Sequence, residues 1–500
     1  MWHAEGARSD VTDRLRRVIA SLLRRLAIFD DHLLGAEPQR AVASVIVAAT
    51  VVFVPLFSAW QVSNTAAGKA RPIIVPMNTM APPVDAVLSV RRIARTVAME
   101  ARVSSLRAGL ASYVTTLPAG ACLVAVADKR VVASQNADTP LIPASNMKLL
   151  TAAAALDVLG ADYRFDTRLR GKRDGATIVG DLWLVGGGDP LLSTRAYPAT
   201  QTNPTIAPTF LDALADEVAA SGVTIVAGSV IGDESRYDTE RYVPGWGDGI
   251  RAIEAGPLSA LMVDDGIIIG EPLKPSNPAI GAAAVFTRLL EARGVAVVGQ
   301  PRVGTTPPET PELARLVSAP LATLLVDVLT NSDNNAAELL VKEIGLVGAG
   351  SATRVAGLQV VSDAIGKRGV DMTGVVLADG SGLDTSNRVT CSTLTSILES
   401  FGLDSLLAQG LALAGTTGTL RDIFTTGPAA GRVRAKTGTL RNVKTLSGFF
   451  PTKDGAITFA LLLNETAIAN QSAYRPLWNG LMGNLATYRE NPQEEELLPR

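Results

Sequence analysis

The chain has 500 residues, 47% of them hydrophobic and 19% charged, with a net charge of −2. That length is worth roughly three domains folded around apolar cores, and the lack of a basic excess gives no support to a nucleic-acid binder. The only histidines are His3 and His32 and the only cysteines Cys122 and Cys391, which excludes a Ser-His-Asp triad, a histidine-bound zinc or a cysteine-rich cluster for the main body.

In chain order, the first 40 residues carry seven Arg and six Asp or Glu. Leu15, Val18, Ile19, Leu22, Leu26 and Phe29 recur there at helical spacing opposite Arg14, Arg17, Arg24 and Arg25. The pattern suits a basic amphipathic helix on an inner leaflet, or equally a short cytoplasmic helix with no such role. Residues 41–60, AVASVIVAATVVFVPLFSAW, contain no charge and are long enough to cross about 30 Å of hydrocarbon as a helix. The charged flank ending in Arg40 predicts an uncleaved single-pass membrane anchor, N-terminus cytoplasmic and body outside. Residues 61–85, rich in Pro, Asn and Ala, read as a linker.

In the body, CLVAVAD and KRVVASQ form an expected hairpin. Pro143-Ala144 then precede SNMKLLTAAAAL, placing Ser145 at a helix N-terminus with Lys148 three residues on, along the same face. Further on, TIVGDLWLVG and VTIVAGSVIGD read as strands around the helix TFLDALADEVAASG. Gly186-Gly187-Gly188 lacks dinucleotide-fingerprint spacing, and with Pro190 following it is a turn. Ser332-Asp333-Asn334 lies on a turn opening the helix NNAAELLVKEIG, with Asp333 turned away to bond locally and Glu338 in a structural position. Asp379 to Asn387, DGSGLDTSN, lacks the acid pattern of a calcium loop and reads as a tight loop shaping a cleft. Lys436-Thr437-Gly438 falls on a strand followed by the hairpin VKTLSGFF–PTKDG–AITFALLL. Residues 489–500 form an acidic tail.

The chain holds only ten lysines, and Lys148 alone has Ser three residues before it while Lys436 alone begins Lys-Thr-Gly. One such motif means little; the three in this order are specific. A serine hydroxyl needs a base, and an amine serves only when neutral. Burial and a second cation such as Lys436 would each lower the Lys148 pKa. A free N–H at the Ser145 helix end could receive an oxyanion. Ser332 and Asn334 suit a proton relay and an amide clamp on substrate. Gly438 would let a substrate backbone approach the strand, while Lys436 and Thr437 offer a cation and a hydroxyl to a carboxylate. No metal or organic cofactor is called for.

These motifs, with GGGDPLLS (186–193), PGWGDG (244–249), PLSALMVDDG (257–266), DGSGLDTSNRVT (379–390) and GTTGTLRD before the last strand, carry a resemblance over residues 86–485. The sequence resembles the low-molecular-mass class C penicillin-binding proteins, the D-alanyl-D-alanine carboxypeptidase/endopeptidase family. The resemblance implies a mixed α/β (α+β) fold of the serine β-lactamase/DD-peptidase kind, with an antiparallel sheet between helices. The catalytic domain would comprise residues 86–166 and 311–485, and residues 167–308 one smaller inserted domain. The 187 residues from Ser145 to Ser332 are too many for a β-lactamase and too few for the two extra domains of longer relatives.

The implied activity is serine-type D-Ala-D-Ala carboxypeptidase action on peptidoglycan stem peptides, with endopeptidase action left open. Ser145 would be acylated, Lys148 would be the base, and Ser332 would protonate the leaving amine with help from Lys436. Asn334, Lys436, Thr437, Gly438 and Thr439 would bind substrate, and the backbone N–H groups of Ser145 and Thr439 would form the oxyanion hole. β-Lactams would trap Ser145. The alternatives are a β-lactamase-like hydrolase and a non-catalytic wall-binding protein of the same fold. Cys122 and Cys391 could pair outside the cell, but two buried thiols are the favoured expectation, since their spacing does not bring them together.

Overall fold

In a computed structural model the described residues are 90–488. The expected cytoplasmic segment, membrane span, linker and acidic tail lie outside them. Among the described residues no single helix is long and apolar enough to cross a membrane.

Helix α1 (Val90–Val114) leads into strands β1 (Ala121–Ala127) and β2 (Arg130–Gln135). Their two-residue turn puts Asp128 and Lys129 at φ 50° and 61°, the backbone twist that matches a right-twisted hairpin. A 3₁₀ turn over Ala144–Asn146 passes directly into α2 (Met147–Val158).

The middle of the chain builds a second sheet. It contributes β3 (Asp166–Asp174), β4 (Thr177–Val185), β5 (Leu192–Ser193), β6 (Thr209–Phe210), α3 (Asp212–Ala220), β7 (Ile225–Val226) and β8 (Val230–Asp233). After a long irregular stretch come α4 (Pro278–Glu291), β9 (Ala296–Val297), β10 (Arg302–Val303) and β11 (Glu312–Val317). Seven of these strands join in one sheet, along the path β10-β8-β4-β3-β11 with β7 also pairing with β4 and β9 with β7, while β5 and β6 pair separately. Leu169, Leu182 and Leu184 alternate toward Leu214 of α3 and Phe286 of α4, which close the core of this sheet. One boundary differs from the sequence reading: residues 312–317, expected in the resumed catalytic segment, pair antiparallel with residues 166–170 of β3. The strand-like ELARLV can add to either sheet by local pattern, and β3 supplies the free edge.

The chain returns through α5 (Leu321–Thr330), α6 (Asn334–Ala349), α7 (Arg354–Lys367), α8 (Cys391–Phe401) and α9 (Leu406–Gln409). It ends with β12 (Ala412–Leu413), β13 (Arg434–Leu440), β14 (Val443–Thr452), β15 (Gly455–Asn464) and α10 (Gln471–Leu485). The first sheet has the order β12-β13-β14-β15-β1-β2, antiparallel throughout. Its strands are apolar on both faces because both faces are covered. Cys122, Val124, Ala460 and Leu462 face a core shared with α2, α5, α6, α7 and α8. Leu123, Ala125, Phe459, Leu461 and Leu463 face the opposite core, with Leu106 and Leu110 of α1 and Trp478 and Leu481 of α10.

The two cysteines overturn the expectation of separate thiols. Cys122 on β1 and Cys391 at the start of α8 form a disulfide with Cα atoms 6.0 Å apart. Their 269-residue separation in sequence is erased because α8 packs on the β1 face of the sheet, a long-range contact that local patterning does not encode.

Candidate active site

Ala144, at φ 46°, turns the chain so that Asn146 N–H donates to Pro143 O at 3.1 Å. The 3₁₀ turn and the first turn of α2 then present Ser145 and Lys148 to each other, with Lys148 Nζ 3.2 Å from Ser145 Oγ. Lys148 is fully buried. Its Nζ also donates to Asn334 Oδ1 and to Ser381 O, both at 2.7 Å. Neither carbonyl oxygen can donate in return, so a neutral amine spends its two N–H groups on them and aims its lone pair at the Ser145 hydroxyl. Burial pushes the Lys148 ammonium down to about 8, while Asp379, Glu338 and Asp333 pull it back upward. The effect expected from a second cation falls on the partner: burial, and then Lys148, hold Lys436 well below the usual lysine range.

The Ser-Asp-Asn turn sits where expected. Asp333 caps α6 by accepting from Ala336 N–H at 2.9 Å, so it bonds locally. Desolvation, with Asp265 and Asp327 nearby, pushes its carboxyl well up. Asn334 opens the helix with its Oδ1 on Lys148 and its Nδ2 donating to Glu254 O at 3.0 Å. The amide expected to clamp substrate thus already holds a backbone carbonyl of the 250–256 loop. Ser332 has φ 66° and lines a cavity of about 370 Å³ with Asn334, Lys274 and Tyr197. The structure does not bring its hydroxyl into hydrogen-bond contact with Ser145, Lys148 or Lys436.

Strand β13 forms the other wall. Lys436 is fully buried, and its Nζ donates to Thr437 O at 2.9 Å. Thr437 Oγ1 donates to Thr419 Oγ1 at 2.8 Å. β12 pairs only with Arg434 and Ala435, so from Lys436 onward the edge of β13 away from β14 has no strand partner among the described residues. Such an edge can accept an extended peptide as an added strand. Thr439 is exposed on this stretch. The reason for Gly438 differs from the sequence reading. A Cβ there would run into Thr445 Oγ1, and would meet Ala144 Cβ and Pro143 O at 3.0 Å. The glycine lets β13 approach the turn that carries Ser145.

The model of the D-Ala-D-Ala carboxypeptidase 3 (S13) family matches residues 106–278 and 270–481. The chain belongs to this family.

Among its relatives, a D-alanyl-D-alanine carboxypeptidase of Actinomadura sp. is 32% identical over 431 residues, covering 69% of this chain and 77% of that protein. The carboxypeptidase DacB of Mycolicibacterium smegmatis is 31% identical over 356 residues, covering 68% and 75%. Penicillin binding protein 4 of Haemophilus influenzae shares the fold, with a TM-score of 0.63 at 23% identity over 75% of this chain and 99% of its own. That protein has also been solved in complex with a β-lactam.

Several residues that surround this candidate site were not singled out for it by spacing. Ser381, whose carbonyl holds Lys148, lies in the DGSGLDTSN loop. That loop is held from below by Glu338, which accepts from Ser381 N–H at 2.7 Å and from Gly380 N–H at 3.1 Å. Burial pushes the Glu338 carboxyl up to about 7. Asp379 accepts from Gly382 N–H, Asp384 N–H, Asn387 Nδ2 and Trp246 Nε1 at 2.6–2.9 Å, locking the loop and joining it to the PGWGDG segment. For Asp379 and Ser381 the signal was the density of acids and glycines in one short loop, whereas Glu338 comes from helix α6.

Proposed function

We propose that the chain is a serine-type D-Ala-D-Ala carboxypeptidase that hydrolyses peptidoglycan stem peptides through an acyl-enzyme on Ser145. The observation that carries this is the buried Lys148 amine, 3.2 Å from Ser145 Oγ, with its N–H groups committed elsewhere and its ammonium lowered to about 8. Lys148 takes the hydroxyl proton as Ser145 Oγ bonds to the carbonyl carbon of the penultimate D-alanine. The backbone N–H groups of Ser145 and Thr439 receive the oxyanion. The C–N bond breaks, Ser332 passes a proton to the departing amine with support from Lys436, and free D-alanine leaves. Water then attacks the ester by the reverse relay.

Lys436, Thr437 and Thr439 hold the terminal carboxylate, and the open edge of β13 takes the stem backbone as an added strand. Asn334 reaches the stem if the Glu254 carbonyl yields its amide. Glu338 is buried beneath the loop with its carboxylate engaged by the backbone N–H groups of Gly380 and Ser381, a structural role that argues against the water-activating glutamate of a β-lactamase. A β-lactam, whose amide resembles D-Ala-D-Ala, acylates the same serine. The proposal extends to placement: residues 41–60 anchor the chain with its catalytic body outside the cell membrane, supported by the disulfide, which persists in oxidising compartments. A reporter active only outside the membrane, fused after residue 85, should be active; an inactive fusion would reject that topology.

The decisive experiment labels the purified chain with a fluorescent penicillin and compares Ser145→Ala. Wild type should carry a long-lived adduct on Ser145 and release D-alanine from a pentapeptide stem, and the variant should do neither. No adduct on wild type, or equal labelling of the variant, overturns the reading.

A further inference from the structure

Between Thr200 and β6, residues 201–206 leave the small β5–β6 pair and cross to α5 and the segment before β13. Three ties hold them there. Ile206 N–H donates to Asp327 Oδ1 at 3.0 Å, and Asn331 Nδ2 to Pro204 O at 3.2 Å. On the far side Arg421 donates through Nη2 to Asn203 Oδ1 at 2.6 Å and through Nη1 to Thr202 O at 3.4 Å. Gln201 Oε1 closes the crossing on itself by accepting from Thr205 N–H at 3.0 Å and Thr205 Oγ1 at 2.9 Å.

The anchors define where this strap lies. Asp327 is at the end of α5, and Asn331 immediately precedes Ser332. Arg421 follows by two residues Thr419, the hydroxyl on which Thr437 rests. The strap therefore runs from the Ser332 wall to the Thr437 wall. It stands between two cavities: one of about 370 Å³ shared by Asn203, Thr205 and Ser332, and one of about 390 Å³ shared by Pro204, Ile206 and Gly418.

We propose that this strap is a specificity element that limits the leaving group to a single terminal amino acid, so that the enzyme trims stems and does not cut cross-links. The inference rests on the reading of the site given above, in which the departing amine is at Ser332 and the carboxylate at Lys436 and Thr437. A departing D-alanine ends at that carboxylate. In a cross-link the departing amine belongs to the side chain of a second stem peptide, whose chain must continue past Ser332 and Thr437 into the space the strap divides. The bond formed and broken is the same in both cases, so the discrimination is steric.

The test uses the full chain with two substrates, a monomeric pentapeptide muropeptide and a cross-linked muropeptide dimer, with products separated by chromatography. Wild type should cleave the dimer at least about tenfold less efficiently than the monomer. Arg421→Ala and, independently, Asn203→Gly should raise the dimer-to-monomer ratio of kcat/KM about tenfold, the factor for losing ~1.4 kcal/mol of a charge-assisted bond. Arg421→Lys should restore part of the discrimination, and penicillin acylation should stay at the wild-type rate in all three. Equal cleavage of both substrates by wild type overturns the proposal even if the variants fold poorly. So does an unchanged ratio in variants that still acylate. Loss of penicillin labelling from wild type would instead reject the site assignment itself.

Discussion

The pH dependence of acylation follows from one buried amine and is the sharpest check on the mechanism. With its ammonium at about 8, Lys148 is neutral in about one molecule in ten at pH 7, against about one in three thousand for an ordinary lysine near 10.5. The lowering thus raises the supply of base about 300-fold, equivalent to about 3 kcal/mol at ~1.4 kcal/mol per tenfold. The sign is fixed, because only the deprotonated amine accepts the Ser145 proton. The second-order rate of acylation by a fluorescent penicillin should climb roughly tenfold per pH unit below about 7, reach half its maximum near 8 and level off above about 9. Intact-mass measurement of the adduct at each pH gives the rate directly, and circular dichroism confirms that the fold persists. Lys148→Arg, which keeps the charge but never offers a lone pair, should lose roughly 10²–10⁴-fold and the pH limb with it. A flat profile from about pH 5 to 9, or an arginine variant that still acylates at a comparable rate, would show that Lys148 is not the base.

Three further outcomes follow. Glu338→Gln removes a carboxylate that holds the Lys148 ammonium up, so the acylation limb should move toward lower pH; a limb that stays put or moves the other way in a folded variant contradicts the coupling. Gly438→Ala should push β13 away from the Ser145 turn, costing about 1–3 kcal/mol of stability for the overpacking and slowing acylation; calorimetry and labelling together read both effects, and a neutral variant would contradict the close approach. Reducing the Cys122–Cys391 bond, or replacing both cysteines by Ser, should cost about 2–5 kcal/mol by freeing a long loop in the unfolded chain. That loss is read as a lower Tm with the labelling of Ser145 intact in the cold, and an unchanged Tm would deny the bond its stabilising role.

What could be read from the sequence and what could not divides along contact distance. Ser145 and Lys148 are one helical turn apart, Ser332 and Asn334 share a turn, and Lys436 to Thr439 share a strand. Each motif's local geometry is dictated by residues within a few positions, and the alternating apolar runs of β14 and β15 are equally local. The partners that tune these motifs come from elsewhere in the chain. Asn334 meets the carbonyl of Glu254, 80 residues away, and Lys148 meets that of Ser381, 233 away. Backbone carbonyls carry no residue-type signature, so no motif announces them. The same holds for the disulfide and for β11, where a strand-like hexapeptide joins whichever sheet offers an open edge. Gly438 shows a third kind of gap: its need for a bare Cα was legible, but whether substrate or the enzyme's own turn fills the space was not.

The register of the first sheet carries a consequence for how the molecule is made. β1 lies between β2 and β15, and Leu123 of β1 is paired with Leu461 of β15. A nascent chain that has produced Ser145 and Lys148 therefore has no sheet to set them against until more than 300 further residues have been synthesised. Closing so long a loop precedes any reward from the contacts it brings, which makes the topology slow to form. Until β15 arrives, the apolar β1 side of the hairpin is left without its strand partner. Nucleophile and base thus become a working pair only when the last strand docks, so a prematurely terminated chain would contain both residues and no activity.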